Sequence, residues 1–359
     1  MPGEADAPGR DTRIVMHGPG SKWRSQRPTL ESVAREAAVS RQTVSNVLNA
    51  SHLVSDETRR RVEEVIARTG YRPVKAAQTL RTRRSYLIAV GLHTPAEDRG
   101  EVEHEFLHAL TDRAQLRGFR TLLYTVENDD AEIGTYESLL SEYDLDGFVL
   151  TNTHTDDKRT AWLDQQKIPF VTFGRPWGSD ARHSWVDVDG ASGVLAATRH
   201  LIGLGHSRVA FLGWPEGSGV GDDRRSGWEA ACREAALRTD GLGLRMVNSF
   251  ASGRSACAQL LQQASPPTAF VCVSDVIALG ALSELTARGQ EPGFRPAVVG
   301  FDDSAAAAIA GLSSVAQPLS EVASACLDCL QELQAPLGAR DDTRDMVLLE
   351  PRLVLRSSA

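Results

Sequence analysis

The chain has 359 residues, of which 42% are hydrophobic, and its formal net charge is −8 at pH 7. This length exceeds that of one small domain and predicts two or three domains, each able to bury a core of its own. The five cysteines are an odd, scattered set that gives no disulfide framework, and no apolar run approaches the length of a membrane span. We expect a cytoplasmic protein with no membrane partner.

Residues 1–27 precede the first predicted helix. They are polar, contain glycine and proline, and lack the apolar core of a signal peptide. We expect them to form a disordered tail.

Three short helices are predicted between residues 28 and 74. Each has apolar residues at helical spacing, which are Leu30, Val33, Ala34 and Ala37, then Val44, Val47 and Leu48, then Val62, Val65 and Ile66. Thr29, Ser40 and Ser55 precede the three helices and can accept hydrogen bonds from first-turn amides. Because only about three residues separate the first two helices, we predict a helix-turn-helix rather than an antiparallel hairpin.

The second of these helices has a polar face that can contact DNA. It carries Arg41, Gln42, Ser45 and Asn46, whose side chains can all hydrogen-bond a base edge in the major groove. A small helical bundle with a solvated polar face would show the same pattern. The charge distribution favours DNA, because residues 28–84 hold eleven basic and six acidic residues, whereas residues 85–359 carry a net charge of about −15.

Residues 86–359 alternate short apolar strands with helical stretches. Strands are predicted at 86–92, 121–126, 147–152, 170–174, 185–188, 209–214, 245–250, 269–274 and 297–301, and helices at 103–117, 191–204, 222–237 and 276–288. This alternation predicts an α/β fold with two doubly wound lobes. In sheets of this kind, ligands bind at the carboxyl ends of the strands.

Several motifs extend over nearly the whole chain after the tail. They are T-L-x-x-V-A-x-x-A-x-V-S-x-x-T-V-S-x-V-L-N, V-S-x-x-T-R-x-R-V, G-Y-x-P and A-A-Q-x-L-R, followed by G-H-S-R-V-A-F-L-G, S-D-V-I-A-L-G-A and V-V-G-F-D-D. Together they resemble the lactose-repressor (LacI/GalR) family of bacterial transcription regulators. The resemblance implies a DNA-binding head (residues 28–74), a hinge helix or linker (75–85) and a body (86–359) like that of periplasmic sugar-binding proteins.

The body of such a protein has two lobes joined by three crossovers, here expected near residues 187, 317 and 347. We expect an N-lobe of about 86–186 plus 319–346 and a C-lobe of about 187–316 plus 347–359. A small ligand would lie in the cleft between them.

The resemblance also implies which residues contact DNA. In the family, a hinge-helix leucine enters the minor groove at the operator centre and kinks the DNA, and Leu80 matches that leucine. The implied DNA contacts are Thr29, Ser40, Arg41, Gln42, Thr43, Ser45, Asn46, Asn49, Lys75, Ala77 and Leu80. The chain departs from the family pattern at Ala38, where a turn glycine is usual, and at Asn46, where many members have a base-reading arginine. Since asparagine favours adenine and arginine favours guanine, we expect a different half-site at that base pair.

The implied effector contacts are Phe173, Arg175, Trp177, Trp214, Arg224, Phe250, Ser274 and Asp302. Arg224 matches an arginine that binds effector hydroxyls, and Asp302 can accept hydrogen bonds from sugar hydroxyls. Ser274 stands where an asparagine is usual, and Gly174 stands where an acid is common, which weakens the expected contacts there. For Trp177 and Trp214, packing in the core or at the cleft rim is the alternative to stacking on a sugar ring.

Motifs for cofactor or metal chemistry are weak. Cys326 and Cys329 have the CxxC spacing, but no second Cys/His pair accompanies them, and two core positions on a helix have the same spacing. Gly18–Lys22 lacks the full phosphate-loop spacing. We expect no cofactor, no metal and no catalytic constellation.

The sequence therefore predicts a homodimeric repressor that binds a palindromic DNA operator and is released by a small carbohydrate effector. Two alternatives remain open. One is a co-repressed regulator with a nucleobase-type ligand, in which the ligand strengthens DNA binding. The other is a sugar-binding protein or enzyme in which the N-terminal helices are structural.

Overall fold

The structure is a computed structural model that describes residues 28–71, 84–93, 100–178, 183–289, 296–334 and 345–359. Two compact units divide the chain between Arg83 and Arg84. The described residues of the first unit form the head, and those of the second form the body. The predicted tail (1–27) and nearly all of the predicted hinge segment (75–85) lie outside the described residues.

The head consists of three α-helices and one short 3-10 helix at Ser51–Leu53. The α-helices are α1 (Leu30–Glu36), α2 (Arg41–Asn49) and α3 (Asp56–Thr69). All ten apolar residues predicted to face inward belong to one hydrophobic cluster, which Tyr71 also joins. The helical periodicity of the sequence therefore predicts this core correctly.

The turn between α1 and α2 is a strained one. Ala38 adopts a left-handed backbone with φ of +52°, the conformation for which glycine is the usual choice. Thr29 and Ser40 cap α1 and α2 as predicted, since their hydroxyls accept from the amides of Ser32 and Thr43. Ser55 precedes α3, but its hydroxyl donates to Thr58 Oγ1 at 3.1 Å instead of capping an amide.

The body contains two six-stranded sheets. The first has the order β11-β5-β4-β3-β1-β2 and is parallel throughout. Its strands are β1 (Leu87–His93), β2 (Arg120–Val126), β3 (Gly147–Leu150), β4 (Phe170–Phe173), β5 (Trp185–Val188) and β11 (Met346–Leu349). We call this sheet and the helices on it the N-lobe.

The second sheet has the order β12-β10-β9-β8-β6-β7, and only β12 runs antiparallel to its neighbour. Its strands are β6 (Val209–Gly213), β7 (Gly243–Arg245), β8 (Ala269–Cys272), β9 (Ala297–Asp302), β10 (Ser313–Ala316) and β12 (Arg352–Val354). We call this sheet and its helices the C-lobe. The α/β architecture with two doubly wound lobes is therefore confirmed.

Helices cover the faces of both sheets. Those of the N-lobe are α4 (Gly100–Leu116), α5 (Asp129–Glu142), α6 (Lys158–Gln165) and α12 (Leu319–Leu333), and those of the C-lobe are α7 (Gly190–Gly203), α8 (Gly219–Glu234), α9 (Phe250–Leu260), α10 (Asp275–Arg288) and α11 (Ala305–Ala310). No helix in the described part of the chain is long and apolar enough to cross a membrane.

Two details of the predicted layout differ from the structure. The segment 245–250 is not a strand, because β7 ends at Arg245 and Phe250 begins α9. The chain passes between the sheets after Val188, Ala316 and Leu349, so the first and third crossovers lie slightly later than residues 187 and 347. All three crossings leave from the C-terminal ends of strands. The loops at the strand ends of the two sheets are therefore brought together.

Candidate DNA interface and effector cleft

The polar face of α2 is the candidate DNA interface. Arg41 and Gln42 are exposed, whereas Ser45 and Asn46 are half-buried. Val44 and Val47, on the opposite side, anchor the helix in the core of the head. The helix therefore keeps its polar N-terminal half available for a groove, as in other helix-turn-helix proteins.

Local hydrogen bonds organise these side chains. The hydroxyls of Ser40 and Thr43 lie 2.9 Å apart, and Ser40 Oγ also accepts from the Thr43 amide at 3.0 Å. One turn further, Gln42 Nε2 donates to Asn46 Oδ1 at 3.0 Å. The sequence suggests separate readers at these positions, but the structure couples Gln42 to Asn46.

The structure describes only some of the other predicted DNA contacts. Thr29 is exposed at the start of α1, where its hydroxyl serves as the helix cap. Asn49 is the last residue of α2. Lys75, Ala77 and Leu80 lie outside the described residues.

The C-lobe offers the candidate effector site. Its sheet order reverses at β6, which lies between β7 and β8, and ligands bind at such a reversal in doubly wound folds. Trp214 follows β6, Ser274 follows β8 and Asp302 ends β9. Arg224 approaches the same region from α8. The strand order therefore brings these four predicted residues to one edge of the sheet.

Arg224 is the central charge of this edge. Only 5% of its surface is exposed, its Nη1 donates to the Val273 carbonyl at 2.6 Å, and its guanidinium lies 3.6 Å from the ring centre of Phe301 and 5.5 Å from that of Trp214. Burial lowers the pKa of Arg224, and the charge of Asp302, at 3.7 Å, opposes this shift. Its Nε is buried and has no hydrogen-bond partner among the described residues, so a donor remains for an oxygen of a ligand.

A second polar group surrounds Asn248, which sequence reasoning missed. Its Oδ1 accepts from Trp214 Nε1 at 3.0 Å and from Ser274 Oγ at 2.5 Å. Ser274 also caps α10 by accepting from the Ile277 amide. The serine at this position therefore acts through Asn248, which follows β7 by three residues and carries no motif that could have marked it.

Asp302 and Asp303 contact different partners. Asp302 accepts from Gln317 Nε2 at 2.7 Å, and Asp303 pairs with Arg356 Nη1 at 2.7 Å. Their backbones are not extended, however, because φ is +116° at Asp302 and +57° at Asp303. Gln317, at the second crossover, therefore fixes the carboxylate of Asp302 beside Arg224.

Arg175, a predicted effector contact, is paired with carboxylates of both lobes. Its Nε donates to Asp187 Oδ2 at 2.6 Å, and its Nη2 donates to Asp223 Oδ2 at 3.3 Å. Asp187 belongs to β5 of the N-lobe and Asp223 to α8 of the C-lobe. Burial raises the pKa of Asp223, and the positive charge of Arg175 acts against this increase. The guanidinium is thus already paired with carboxylates and bridges the lobes.

Trp177 makes a second contact between the lobes. Its ring packs directly on Gly219, the first residue of α8, where a Cβ would lie 2.2 Å from the ring. Arg175 stacks over the same ring at 4.7 Å from its centre. Trp177 Nε1 is buried without a hydrogen-bond partner among the described residues. The tryptophan therefore packs at the cleft, which is the alternative to stacking on a sugar ring that the sequence leaves open.

Two aromatic predictions fare differently. Phe173 is the last residue of β4 and packs against Phe106, with ring centres 4.7 Å apart, so it belongs mainly to the N-lobe core. Phe250 does not follow a strand, since it begins α9, and 44% of its surface is exposed. Its exposed ring remains available to a ligand.

One group of metal-type side chains occurs among the described residues. Asp129, His154 and Asp157 hold ligand atoms within 4.8 Å of one another, at the ends of β2 and β3. His154 already bonds Asp129 at 3.1 Å and the Asn152 carbonyl at 3.2 Å. The buried Arg159 donates to Asp157 at 2.7 Å and lies 3.8 Å from Asp129. Since a guanidinium already neutralises these carboxylates, we interpret the group as an ionic network.

All five cysteines are buried thiols. Burial raises the pKa of each, to about 11 for Cys232 and to about 12 for Cys257 and Cys329. Cys326 and Cys329 lie in the core of the N-lobe on α12. Their spacing is that of two core positions on a helix.

Comparisons with known proteins agree with this architecture. The family description "Bacterial regulatory proteins, lacI family" matches residues 29–74, and "Periplasmic binding protein-like domain" matches residues 198–359. The HTH-type transcriptional regulator CelR of Thermobifida fusca is 35% identical over 82% of this chain and 88% of its own length.

Two solved structures extend the comparison. A complex of transcriptional regulator CelR with cellobiose has a TM-score of 0.68 and 31% identity, covering 93% of this chain and 100% of that one. A lac repressor dimer bound to operator and the anti-inducer ONPF has a TM-score of 0.78 and 26% identity, covering 93% and 99%.

The fold and the two candidate sites define a helix-turn-helix transcriptional regulator with a periplasmic-binding-protein-like body. Like its relatives, it is a regulator of transcription. The chain belongs to the lacI family of bacterial regulatory proteins.

Proposed function

We propose that this regulator is a homodimeric repressor that leaves a palindromic operator when a small carbohydrate binds its cleft. The observation that carries the proposal is the buried Arg224. Its Nε has no hydrogen-bond partner among the described residues, and its Nη1 lies 3.7 Å from the Asp302 carboxylate. A donor and an acceptor at one strand edge suit a polyhydroxy ligand, whose hydroxyls both give and accept hydrogen bonds. The cellobiose complex of the CelR relative supports a carbohydrate.

The DNA half of the proposal rests on the head. Arg41, Gln42, Ser45 and Asn46 would contact bases, while Thr29, Ser40 and Thr43 would contact phosphates near helix N-termini. Lys75, Ala77 and Leu80 would act in the hinge. A dimer would present two heads to the two half-sites, an arrangement supported by the operator-bound dimer of the lac repressor.

The switch couples the two halves. Carbohydrate binding would favour a body conformation in which the paired hinge segments separate, so that operator affinity falls. The coupling requires that the ligand bind this conformation more tightly than the operator-bound one. Such a regulator would act in the cytoplasm, where the chromosome lies.

A truncation tests the DNA half. Residues 84–359 alone should lose specific, salt-sensitive operator binding but keep carbohydrate binding, which fluorescence anisotropy and calorimetry would measure. If the truncated chain binds the operator as well as the full chain does, the head is structural and the proposal fails.

A ligand panel tests the other half. Several mono- and oligosaccharides, together with nucleobases, are screened by thermal shift. We expect at least one sugar to raise the melting temperature of the body, and nucleobases to raise it little. The exposed ring of Phe250 could instead stack on a planar base, which is the feature that a co-repressing nucleobase would use. Stabilisation by nucleobases alone, together with tighter operator binding, would replace the carbohydrate proposal with that one.

The hinge gives a specific DNA test. Leu80→Ala should weaken operator binding much more than binding to random DNA, because a minor-groove wedge acts only at a kinked site. Gel shifts on both DNAs measure the difference. Equal losses on both would remove the wedge role of Leu80.

A further inference from the structure

One carboxylate fixes the end of the predicted hinge segment to the N-lobe. Asp146, which directly precedes β3, is only 9% exposed, and its Oδ1 accepts from the Ser85 amide at 2.9 Å and from the Ser85 hydroxyl at 3.1 Å. Its Oδ2 accepts from the Tyr86 amide at 3.1 Å. The Ser85 hydroxyl in turn accepts from the Leu87 amide at 3.1 Å, at the start of β1. Asp146 therefore holds the backbone where the chain enters the first strand of the body.

The backbone at Tyr86 is strained. Its φ is +56°, a left-handed conformation that a bulky residue keeps only where its surroundings support it. Besides the Asp146 carboxylate, the Arg120 amide supports it by donating to the Tyr86 carbonyl at 2.7 Å. The ring of Tyr86 also meets that of Phe119 edge-on, with ring centres 5.6 Å apart. Such a supported strain indicates that the direction of the chain matters at this point.

Helix α12 supplies a second attachment. Gln334, which caps its C-terminal end, donates from Nε2 to the Asp146 carbonyl at 2.9 Å, and its own carbonyl accepts from Arg84 Nη2 at 3.1 Å. Just before the other end of α12, Gln317 holds Asp302 of the C-lobe. The helix has 15 residues, a length of about 22 Å, and packs in the core of the N-lobe. One packed helix therefore connects the candidate effector edge to the end of the hinge segment.

We propose that Asp146 and Gln334 form a clamp on residues 84–86 that passes the state of the effector cleft to the hinge segment. The clamp makes these residues move as part of the N-lobe, so a change in the orientation of the N-lobe displaces the segment that leads to the head. A loose joint would absorb the same change by bending, and the head would not respond.

Asp146 is a positioning residue for the switch. It lies at the amino ends of β1 and β3, opposite the carboxyl ends at which ligands bind in doubly wound folds. It therefore acts on the coupling between the two sites and not on either site directly. The inference rests on the proposed function and adds the point at which the coupling passes.

Asp146→Asn tests the clamp in the full chain. The change keeps the shape of the side chain but replaces one accepting oxygen by an NH₂ group, which cannot accept from a backbone amide. Fluorescence anisotropy uses an operator that the wild-type chain selects from a randomised DNA library. The measured ratio is the operator dissociation constant with the carbohydrate that stabilises the body most in the thermal-shift panel, divided by that without it. We expect the ratio to fall from at least about ten in the wild-type chain to below about three in Asp146→Asn.

Calorimetry and two further variants separate positioning from a merely structural role. The affinity of Asp146→Asn for the same carbohydrate should stay within about two-fold of the wild-type value, because distant sites act independently. Asp144→Asn is the matched control, since it removes the same charge at an exposed position two residues earlier, and it should keep the wild-type ratio. Ser85→Ala removes one hydrogen bond of the clamp and should give an intermediate ratio.

The contrary outcomes are distinct. A wild-type ratio in Asp146→Asn, or in Ser85→Ala should Asp146→Asn not fold, overturns the clamp and leaves the proposed repressor intact. An equal fall in Asp144→Asn, or an equal loss of carbohydrate affinity, also overturns it, because lost charge or lost structure then explains the effect. If the carbohydrate does not weaken operator binding by the wild-type chain, the proposed function fails and this inference fails with it.

Discussion

The two lobes of the body end their strands in different chemistry. On the C-lobe, Arg224 is buried and Asp302 is held beside it by Gln317, yet the Nε of the arginine has no partner in the part of the chain that the structure describes. On the N-lobe, Arg175 is already paired with Asp187 and reaches across to Asp223. We infer that the C-lobe edge binds the ligand, whereas the N-lobe edge pairs with the other lobe.

This difference assigns different tasks to similar residues. A buried arginine with spare donors supplies binding energy to whatever oxygen fills the site. A half-buried arginine that bridges two carboxylates adds little net energy. Because its two partners belong to different lobes, we expect it to favour the conformation in which the lobes are close. Ligand affinity should therefore depend mainly on the C-lobe, and closure of the cleft on the N-lobe.

The largest expected effect is at Arg224. Arg224→Met should weaken binding of the carbohydrate found in the thermal-shift panel by about 100-fold, because removing a buried charged partner costs roughly 2–5 kcal/mol. Isothermal calorimetry on the folded variant measures the loss. Arg225→Met is the matched control, since Arg225 lies on the same helix and pairs with Glu229 at 2.7 Å. Near-wild-type affinity in a folded Arg224→Met chain would show that the ligand does not use this edge.

The next effect concerns stability rather than ligand binding and is expected at Gly174, where the family resemblance leads us to expect an acid. Its φ is +118°, and a Cβ would lie 2.2 Å from Thr153 Oγ1. Gly174→Ala should destabilise the body by about 2–3 kcal/mol, since both strain and collision oppose the side chain. Gly178→Ala is the control, because φ is +67° there and the nearest atom, Thr155 Cγ2, is 3.6 Å away. Its cost should be about 1 kcal/mol.

Urea unfolding of the two glycine variants separates backbone strain from collision with Thr153. Equal losses would mean that Thr153 moves aside, and that an acid could enter the N-lobe edge after all. The contrast between the lobes would then be weaker than the structure indicates.

The smallest expected effect is at the bridge. Arg175→Gln should weaken carbohydrate binding by about five-fold, because a partly exposed ion pair contributes at most about 1 kcal/mol. Asp223→Asn should weaken binding less, because it removes only the longer of the two ion pairs of Arg175. The double variant should lose no more than Arg175→Gln, since that change already removes both pairs. A loss as large as that of Arg224→Met would make Arg175 a direct ligand contact instead.

The sequence predicts the repeating parts of this molecule well. Apolar spacing alone finds the core of the head, including Val33, Val44 and Val62, because each helix buries one face. Strand-helix alternation finds the two lobes. Asp302 lies at a strand end as expected, whereas Arg224, on α8, comes from the family resemblance.

The misses come from contacts between distant residues. The strand predicted at 245–250 extends to Phe250, although this residue begins α9, whose small residues show little amphipathic pattern. Gly253 lets α9 approach α10, since a Cβ at this position would lie only 2.2 Å from the Ile277 carbonyl oxygen. The pairing of Arg175 with Asp223 joins residues 48 apart and follows no local periodicity. The role of Asn248 likewise depends on Trp214 and Ser274, which only the fold brings to it.

The central claim is that occupancy of the cleft controls the affinity of the head for DNA. The most direct measurement is the operator affinity of the full chain, by fluorescence anisotropy at fixed salt, with and without a saturating concentration of the cleft carbohydrate. We expect the carbohydrate to weaken operator binding by at least about ten-fold, within the usual range of allosteric coupling. An operator affinity that does not change when the cleft is saturated would contradict the account.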